Sequence, residues 1–281
     1  MTDAKIRGHR LVQDQAAGVV VQAMNEARLH AEAIKLAVQD AAFKTAVEQI
    51  DKVRDFLTRP QNILGSVLTK HGEIAEQVDV GIRNARQALE QEAMTASMDG
   101  VGRLDAIDYF IDGVAVQSKF INGIPKNLQH VLYHLDKYPN FTADGSYYII
   151  PKDTHEALQT LMNGGHIDGL KASKEVAIKE LIKRIEEQTG RPFIDVVQPS
   201  VVDYPDVQIR TVSTTLDNEQ QDLASKNEEL QDKIIDDHKP SLQGAAQAAL
   251  LGGAVGGSLS LATGLYSKYK GSSQNLPEIV R

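Results

Sequence analysis

The sequence predicts an α+β protein in which a central mixed block is framed by mainly helical extensions. Three observations carry that expectation. Apolar residues recur at helical spacing over the first 58 residues. Short apolar strands then alternate with helices across the middle of the chain. The last quarter returns to helical patterning and ends in a Gly- and Ala-rich apolar stretch. The expected organisation is a helical region over 1–61, a mixed core over 62–212 and a helical extension over 213–281.

In the first region Val20, Val21, Met24, Ala27 and Leu29 begin a helix. Ile34, Leu36, Val38 and Ala41 continue it, and Phe43, Val47, Ile50, Val53 and Phe56 follow, before Arg59-Pro60 ends the run. The simplest reading is a helical hairpin that packs on the core or on a partner. A helix from Gly72 to Glu92 opens the core. Tyr109-Phe110-Ile111 and Val114 to Phe120 are two strands joined at Asp112-Gly113, the dipeptide suited to a type I′ hairpin turn. A helix from Asn127 to Lys137 stops before Pro139, and Gly145 to Pro151 holds a further strand. Asp153 or Thr154 can cap a helix over Glu156 to Met162, and Ser173 can cap one over 172–189 that Gly190-Arg191-Pro192 stops. Phe193 to Val197 and Val207 to Val212 read as two extra strands. Leu216 to His238 is a polar helix with leucines at 216, 223 and 230, a thin basis for a coiled coil.

Composition narrows the function. The 30 basic and 38 acidic residues leave a net charge of −8, so any nucleic acid must be met by a local basic patch. Without cysteine there is no disulfide, no thiol nucleophile and no Cys-type zinc site, which suits a reducing compartment. The first ten residues lack the apolar core of a secretory signal, which predicts a cytoplasmic protein. No Gly-x-Ser-x-Gly elbow, P-loop or dinucleotide fingerprint is present. Residues 245–266 carry no charge and are about long enough to cross a bilayer, with glycines four apart at 252 and 256 and at 253 and 257. A membrane-associated helix and a soluble helix packed closely on protein both fit that segment.

The chemistry concentrates around the hairpin. Gln117 and Lys119 share a strand face, and Asp108 lies across the turn. An Asp, a Gln and a Lys so placed can hold a divalent metal beside a phosphate. Asp112 belongs to the turn, and Asp105, three residues before Asp108, points to the opposite face of a regular strand. Each group also has a purely structural reading: a strand-opening Asp, an exposed Gln and an edge-strand Lys that discourages aggregation.

A helix carrying Glu, then Asp, then a hairpin to Gln-x-Lys, then helix and strand, resembles the PD-(D/E)xK nuclease superfamily and its restriction-endonuclease-like fold. The resemblance covers about Gly72 to Pro151. Gly72-Glu73-Ile74-Ala75-Glu76 is similar to the Gly-x-x-x-Glu helix start of resolvase-like members. It implies a Mg²⁺- or Mn²⁺-dependent DNA endonuclease with Glu76, Asp108, Gln117 and Lys119 as the catalytic set. Glu76, Asp108 and Gln117 would be the metal ligands, and Lys119 would orient the attacking water and stabilise developing negative charge. Gln117 departs from the pattern by replacing a charged ligand with a neutral one, which also admits an inactive binding derivative. The chain is further similar to bacterial proteins that carry such a core ahead of a Gly-rich apolar tail, which implies a role in anti-phage defence or conflict between genetic elements.

DNA contact is expected from Lys126, Asn127, Gln129, His130, His134 and Lys137, with Lys126, His130 and His134 on one helical face. A zinc site at His130 and His134 lacks the acid of a His-Glu-x-x-His motif. Arg83 and Arg86 are further candidates for the duplex backbone, the alternative for Arg83 being a surface pair with Asp79. The flanking helices are expected to mediate homo-oligomerisation or partner contact.

Overall fold

The computed structural model describes residues 3–59, 70–102 and 105–240. Among them seven helices and a five-stranded mixed sheet make an α+β protein with helical flanks. The helices are α1 (Asp3–Leu57), α2 (Lys70–Leu89), α3 (Ile124–Lys137), α4 (Lys152–Met162), α5 (Ala172–Thr189), α6 (Phe193–Val196) and α7 (Val212–Asp237). The strands are β1 (Ala96–Ser97), β2 (Tyr109–Ile111), β3 (Val114–Ser118), β4 (Tyr147–Ile150) and β5 (Val197–Pro199). The described residues divide into two compact units, one within 40–227 and a second made of 3–39 with 228–240.

The sheet order is β1-β2-β3-β4-β5. The first three strands form an antiparallel meander, and β4 and β5 add in parallel. Parallel addition requires a crossover, which α3 supplies between β3 and β4. The hairpin turn forms as the sequence predicts: Asp112 and Gly113 have φ of 52° and 76°, both left-handed as a type I′ turn demands.

One face of the sheet is covered by α3 and α5. Leu128, Val131, Leu132 and Leu135 of α3 pack with Tyr148 and Ile150 of β4 and with Ile178, Ile182 and Ile185 of α5. These residues recur at three- and four-residue steps, so each helix offers one apolar stripe to the core. α5 ends at Gly190, whose left-handed φ of 66° lets its N–H reach the Glu186 carbonyl.

A buried carboxylate joins α2 to the sheet. Asp79 is fully buried and accepts from Tyr109 Oη (2.9 Å), Ser200 Oγ (2.6 Å) and Val201 N (3.0 Å). Arg83 Nε adds a charged donor at 2.7 Å and sends Nη2 to the Pro199 carbonyl. The Asp79–Arg83 pair expected at the surface is therefore the centre of an interior network. On the other side of α2, Gly81 lies against α1. A Cβ there would fall 2.3 Å from Val53 Cγ2, so glycine is what allows the close approach. Arg86 forks onto Glu219 of α7 with two contacts of 2.7 Å, and Arg54 of α1 bonds Asp217.

Several expectations need correction. The N-terminal region is one unbroken helix and not a hairpin. Phe193 to Val196 is a short helix, because Pro192 starts it and only Val197 onward pairs with β4. Residues 207–212 form no strand. Tyr204–Val207 is a 3₁₀ turn closed by reciprocal bonds between Asp203 and Asp206, and α7 begins at Val212. Neither Asp153 nor Ser173 caps its helix; those positions fall to Pro151 and Lys171. Leu29, Ile34 and Val38 are exposed, so the apolar pattern of the first region does not mark a single buried face.

In the second unit, Arg28 of α1 donates to the His238 carbonyl. Among the described residues no helix is long and apolar enough to cross a membrane; residues 245–266 lie outside them.

The Asp79 network sets a stability prediction. Asp79→Ala leaves the Arg83 cation without its buried partner and should cost about 3–5 kcal/mol in urea unfolding. Asp79→Asn, which keeps an acceptor for Ser200 and Val201, should lose less. Equal stability of Asp79→Ala and the parent would remove the network from the account of the fold.

Candidate catalytic site

Three elements deliver the chemical groups. Asp108 immediately precedes β2, and its N–H donates to the Val116 carbonyl at 2.8 Å, extending the hairpin ladder by one bond. Lys119 immediately follows β3, and its N–H donates to the Ile149 carbonyl at 2.8 Å, so the neighbouring strand holds its backbone. Because β2 and β3 are antiparallel, the start of one and the end of the other lie at the same end of the sheet. Glu76 arrives from α2, one turn before Asp79.

Asp108 is held by the strand opposite. Its Oδ2 accepts from Ser118 N at 2.7 Å and from Gln117 Nε2. Gln117 is therefore a buried partner of Asp108, with Oε1 left as its oxygen donor.

Glu76, Asp108 and Lys119 lie within electrostatic reach of one another. Burial, the Asp108 carboxylate and Glu73 together push the Glu76 carboxyl well above the usual carboxylate range, with Lys119 opposing. Burial raises Asp108 as well, against the pull of Lys119, the Ser118 N–H and the Gln117 amide. Burial lowers the Lys119 ammonium, and the two carboxylates counter it. Crowded, partly desolvated carboxylates beside a lysine are under tension that added positive charge relieves. Hard oxygen donors of this kind fit Mg²⁺ or Mn²⁺, with Glu76 and Asp108 as the charged ligands and Gln117 as the neutral one. Among the described residues no three His, Asp or Glu side chains form a metal-binding cluster, so the carboxamide is needed to complete a protein triad.

Sequence comparison with family models and with curated proteins, and comparison of the fold with solved structures, gives no match. The reading of this site rests on its own geometry.

The α3 residues expected to touch DNA separate into two groups. Lys126, Gln129, His130 and Lys137 are exposed. Partial burial of its ring and the charge of Lys119 lower the His130 imidazole. Asn127 and His134 are buried instead, and helical spacing could not reveal this. Asn127 donates Nδ2 to the Lys119 carbonyl at 2.7 Å, giving the lysine backbone a second anchor besides Ile149. His134 packs edge-on against Phe141 and Tyr148 and shares a 2.8 Å bond between Nδ1 and Tyr148 Oη. Asp105 leaves the strand altogether; its carboxylate accepts from the Gly102 N–H. Glu73, which raises Glu76, and Asn127, which holds Lys119, are the neighbours whose roles only the fold discloses.

His134 supplies a pH prediction. Burial, reinforced by Lys119, lowers its pKa to about 4, and Nε2 meets no acceptor at bonding geometry although the Ala106 backbone lies near. The unfolded chain takes a proton near 6.5, above the folded value, so this contribution is complete above 6.5 and is lost as pH falls toward 4. Between pH 7 and 4 the parent should lose roughly 2–3 kcal/mol more than His134→Gln, read from urea unfolding at stepped pH. Parallel curves for the two proteins would contradict the assignment.

Proposed function

We propose that this protein is a metal-dependent nuclease that hydrolyses DNA phosphodiesters, acting in anti-phage defence or conflict between genetic elements. The observation that carries the reading is the meeting of Glu76, Asp108 and Lys119, from three separate elements, in one half-buried cluster. The order of elements supports it: α2 with its glutamate, Asp108, the hairpin to Gln117-x-Lys119, then α3 and β4. That order is the one in which the sequence resembles the restriction-endonuclease-like core.

The chain's own groups have distinct tasks. Glu76 and Asp108 supply negative oxygens that hold Mg²⁺ or Mn²⁺, and Gln117 adds a neutral oxygen while keeping Asp108 in place. The cation, when bound, offsets charge on the phosphate and acidifies water. Lys119, anchored at its N–H by Ile149 and at its carbonyl by Asn127, directs an ammonium toward the same region. There it orients the attacking water and stabilises the negative charge that develops on the phosphate oxygens.

A second reading is a nuclease-like binding module that does not cleave. It is favoured by the engagement of Asp108 Oδ2 with two donors, which weakens that oxygen as a ligand. The exposed apolar residues of α1 are suited to homo-oligomer or partner contact in either case.

Plasmid nicking with Mg²⁺ or Mn²⁺ tests the choice. Asp108→Ala and Lys119→Ala should each lower the rate by about 10²–10³-fold. Cleavage retained by both variants would sink the assignment of this site, and no cleavage by the parent with any divalent metal favours the binding module.

Gln117→Glu probes the metal directly. Without metal the third carboxylate should lower the melting temperature. With millimolar Mg²⁺ the variant should gain more stability than the parent, reflecting affinity raised on the order of tenfold. No Mg²⁺-dependent shift in either protein would count against a cation at Glu76 and Asp108.

A further inference from the structure

We propose that a cleft at the free edge of β5 is a phosphate-binding subsite for the DNA strand whose scissile phosphodiester is presented to Glu76, Asp108 and Lys119. The proposal rests on the nuclease reading above. The cleft has a volume of about 570 Å³ and is walled by Arg83 and Arg86 of α2 and by Lys152, His155, Glu156 and Gln159 of α4.

Its charge is asymmetric. The carboxylates that partner the two arginines lie behind them, with Asp79 at 0% and Glu219 at 8% side-chain exposure. The arginine side chains remain partly accessible, at 24% for Arg83 and 51% for Arg86. Each uses Nε and Nη2 on the protein, leaving Nη1 for an anion. Lys152 adds a third cation, 51% exposed, and Glu156, 3.9 Å from it, is the one carboxylate in the wall. His155 is buried and contributes a wall and not a charge.

The cleft and the candidate catalytic site share a helix. Arg83 and Arg86 follow Glu76 by seven and ten residues on α2, about 10 and 15 Å along its axis. That reach corresponds to about three to four nucleotides of duplex rise. With a net charge of −8, the protein needs such a local basic lining to hold a polyanion. Rigid planar forks backed by buried carboxylates suit phosphate oxygens better than mobile surface lysines do.

Fluorescence anisotropy tests the subsite without relying on cleavage. The probe is a fluorescein-labelled 20-base-pair DNA with Ca²⁺ in place of Mg²⁺, titrated with the full chain over a series of salt concentrations. Lys152→Glu changes an exposed residue. The double variant Arg86→Gln with Glu219→Gln avoids leaving a buried carboxylate unpaired. Each should weaken binding about tenfold and reduce the log–log salt slope by about one. Lys183→Gln, an exposed change on α5 outside the cleft, should leave that slope unchanged. Unaltered affinity and slope in both cleft variants overturn the proposal, as does failure of the parent to bind the duplex. Cleft-dependent binding by a parent that never cleaves supports the subsite and removes only the nuclease reading.

Discussion

The architecture around the candidate site depends on one buried carboxylate. Asp79 gathers a tyrosine of β2, a serine and a backbone N–H beyond β5, and an arginine of its own helix around two oxygens. A fully buried aspartate is tolerable only when donors replace the lost water, and here four do so. The result is a fixed rotation and height for α2 against the sheet. Glu76, one turn earlier, owes its position beside Asp108 and Lys119 to that anchoring, and Arg83 faces the β5 cleft for the same reason.

The site also illustrates why its carboxylates belong together. Hairpin geometry alone accounts for Asp108 beside Gln117, and crossover geometry alone accounts for Lys119 bonded to β4. Nothing in secondary structure requires Glu76 to approach a second carboxylate at a partly desolvated position. Like charges so placed are unfavourable until a cation or a proton is added. The lysine offsets part of that cost, and burial in turn lowers its own pKa against the pull of the two carboxylates.

Much of this was legible in the sequence because it is local. Asp112-Gly113 announced its turn, and Pro60 and Gly190 announced helix ends. The strand misread at Phe193 is short and apolar, a case in which periodicity does not separate helix from strand and Pro192 decides. β1 escaped notice because its two residues are paired by β2 and by a helix side chain. Asn127 and His134 looked like surface polar groups on a helical wheel. Tertiary neighbours, Lys119 for one and Tyr148 for the other, take both inside. Whether Gln117 serves as a ligand turns on how its amide divides between Asp108 and a cation, which residue identity does not encode.

The brevity of β1 has its own consequence. Asn84 of α2 donates Nδ2 to the Ala96 carbonyl at 2.8 Å and accepts the Ala96 N–H at 3.1 Å on Oδ1. A single carboxamide thus completes the hydrogen bonds that another strand would otherwise make, while Gln87 does the same for the N–H of Thr95. At the opposite border, β5 ends in Pro199, which lacks a donor. Both margins of the sheet are thereby closed to an incoming chain, which protects a protein with a buried, strongly apolar β4 from joining its copies edge to edge.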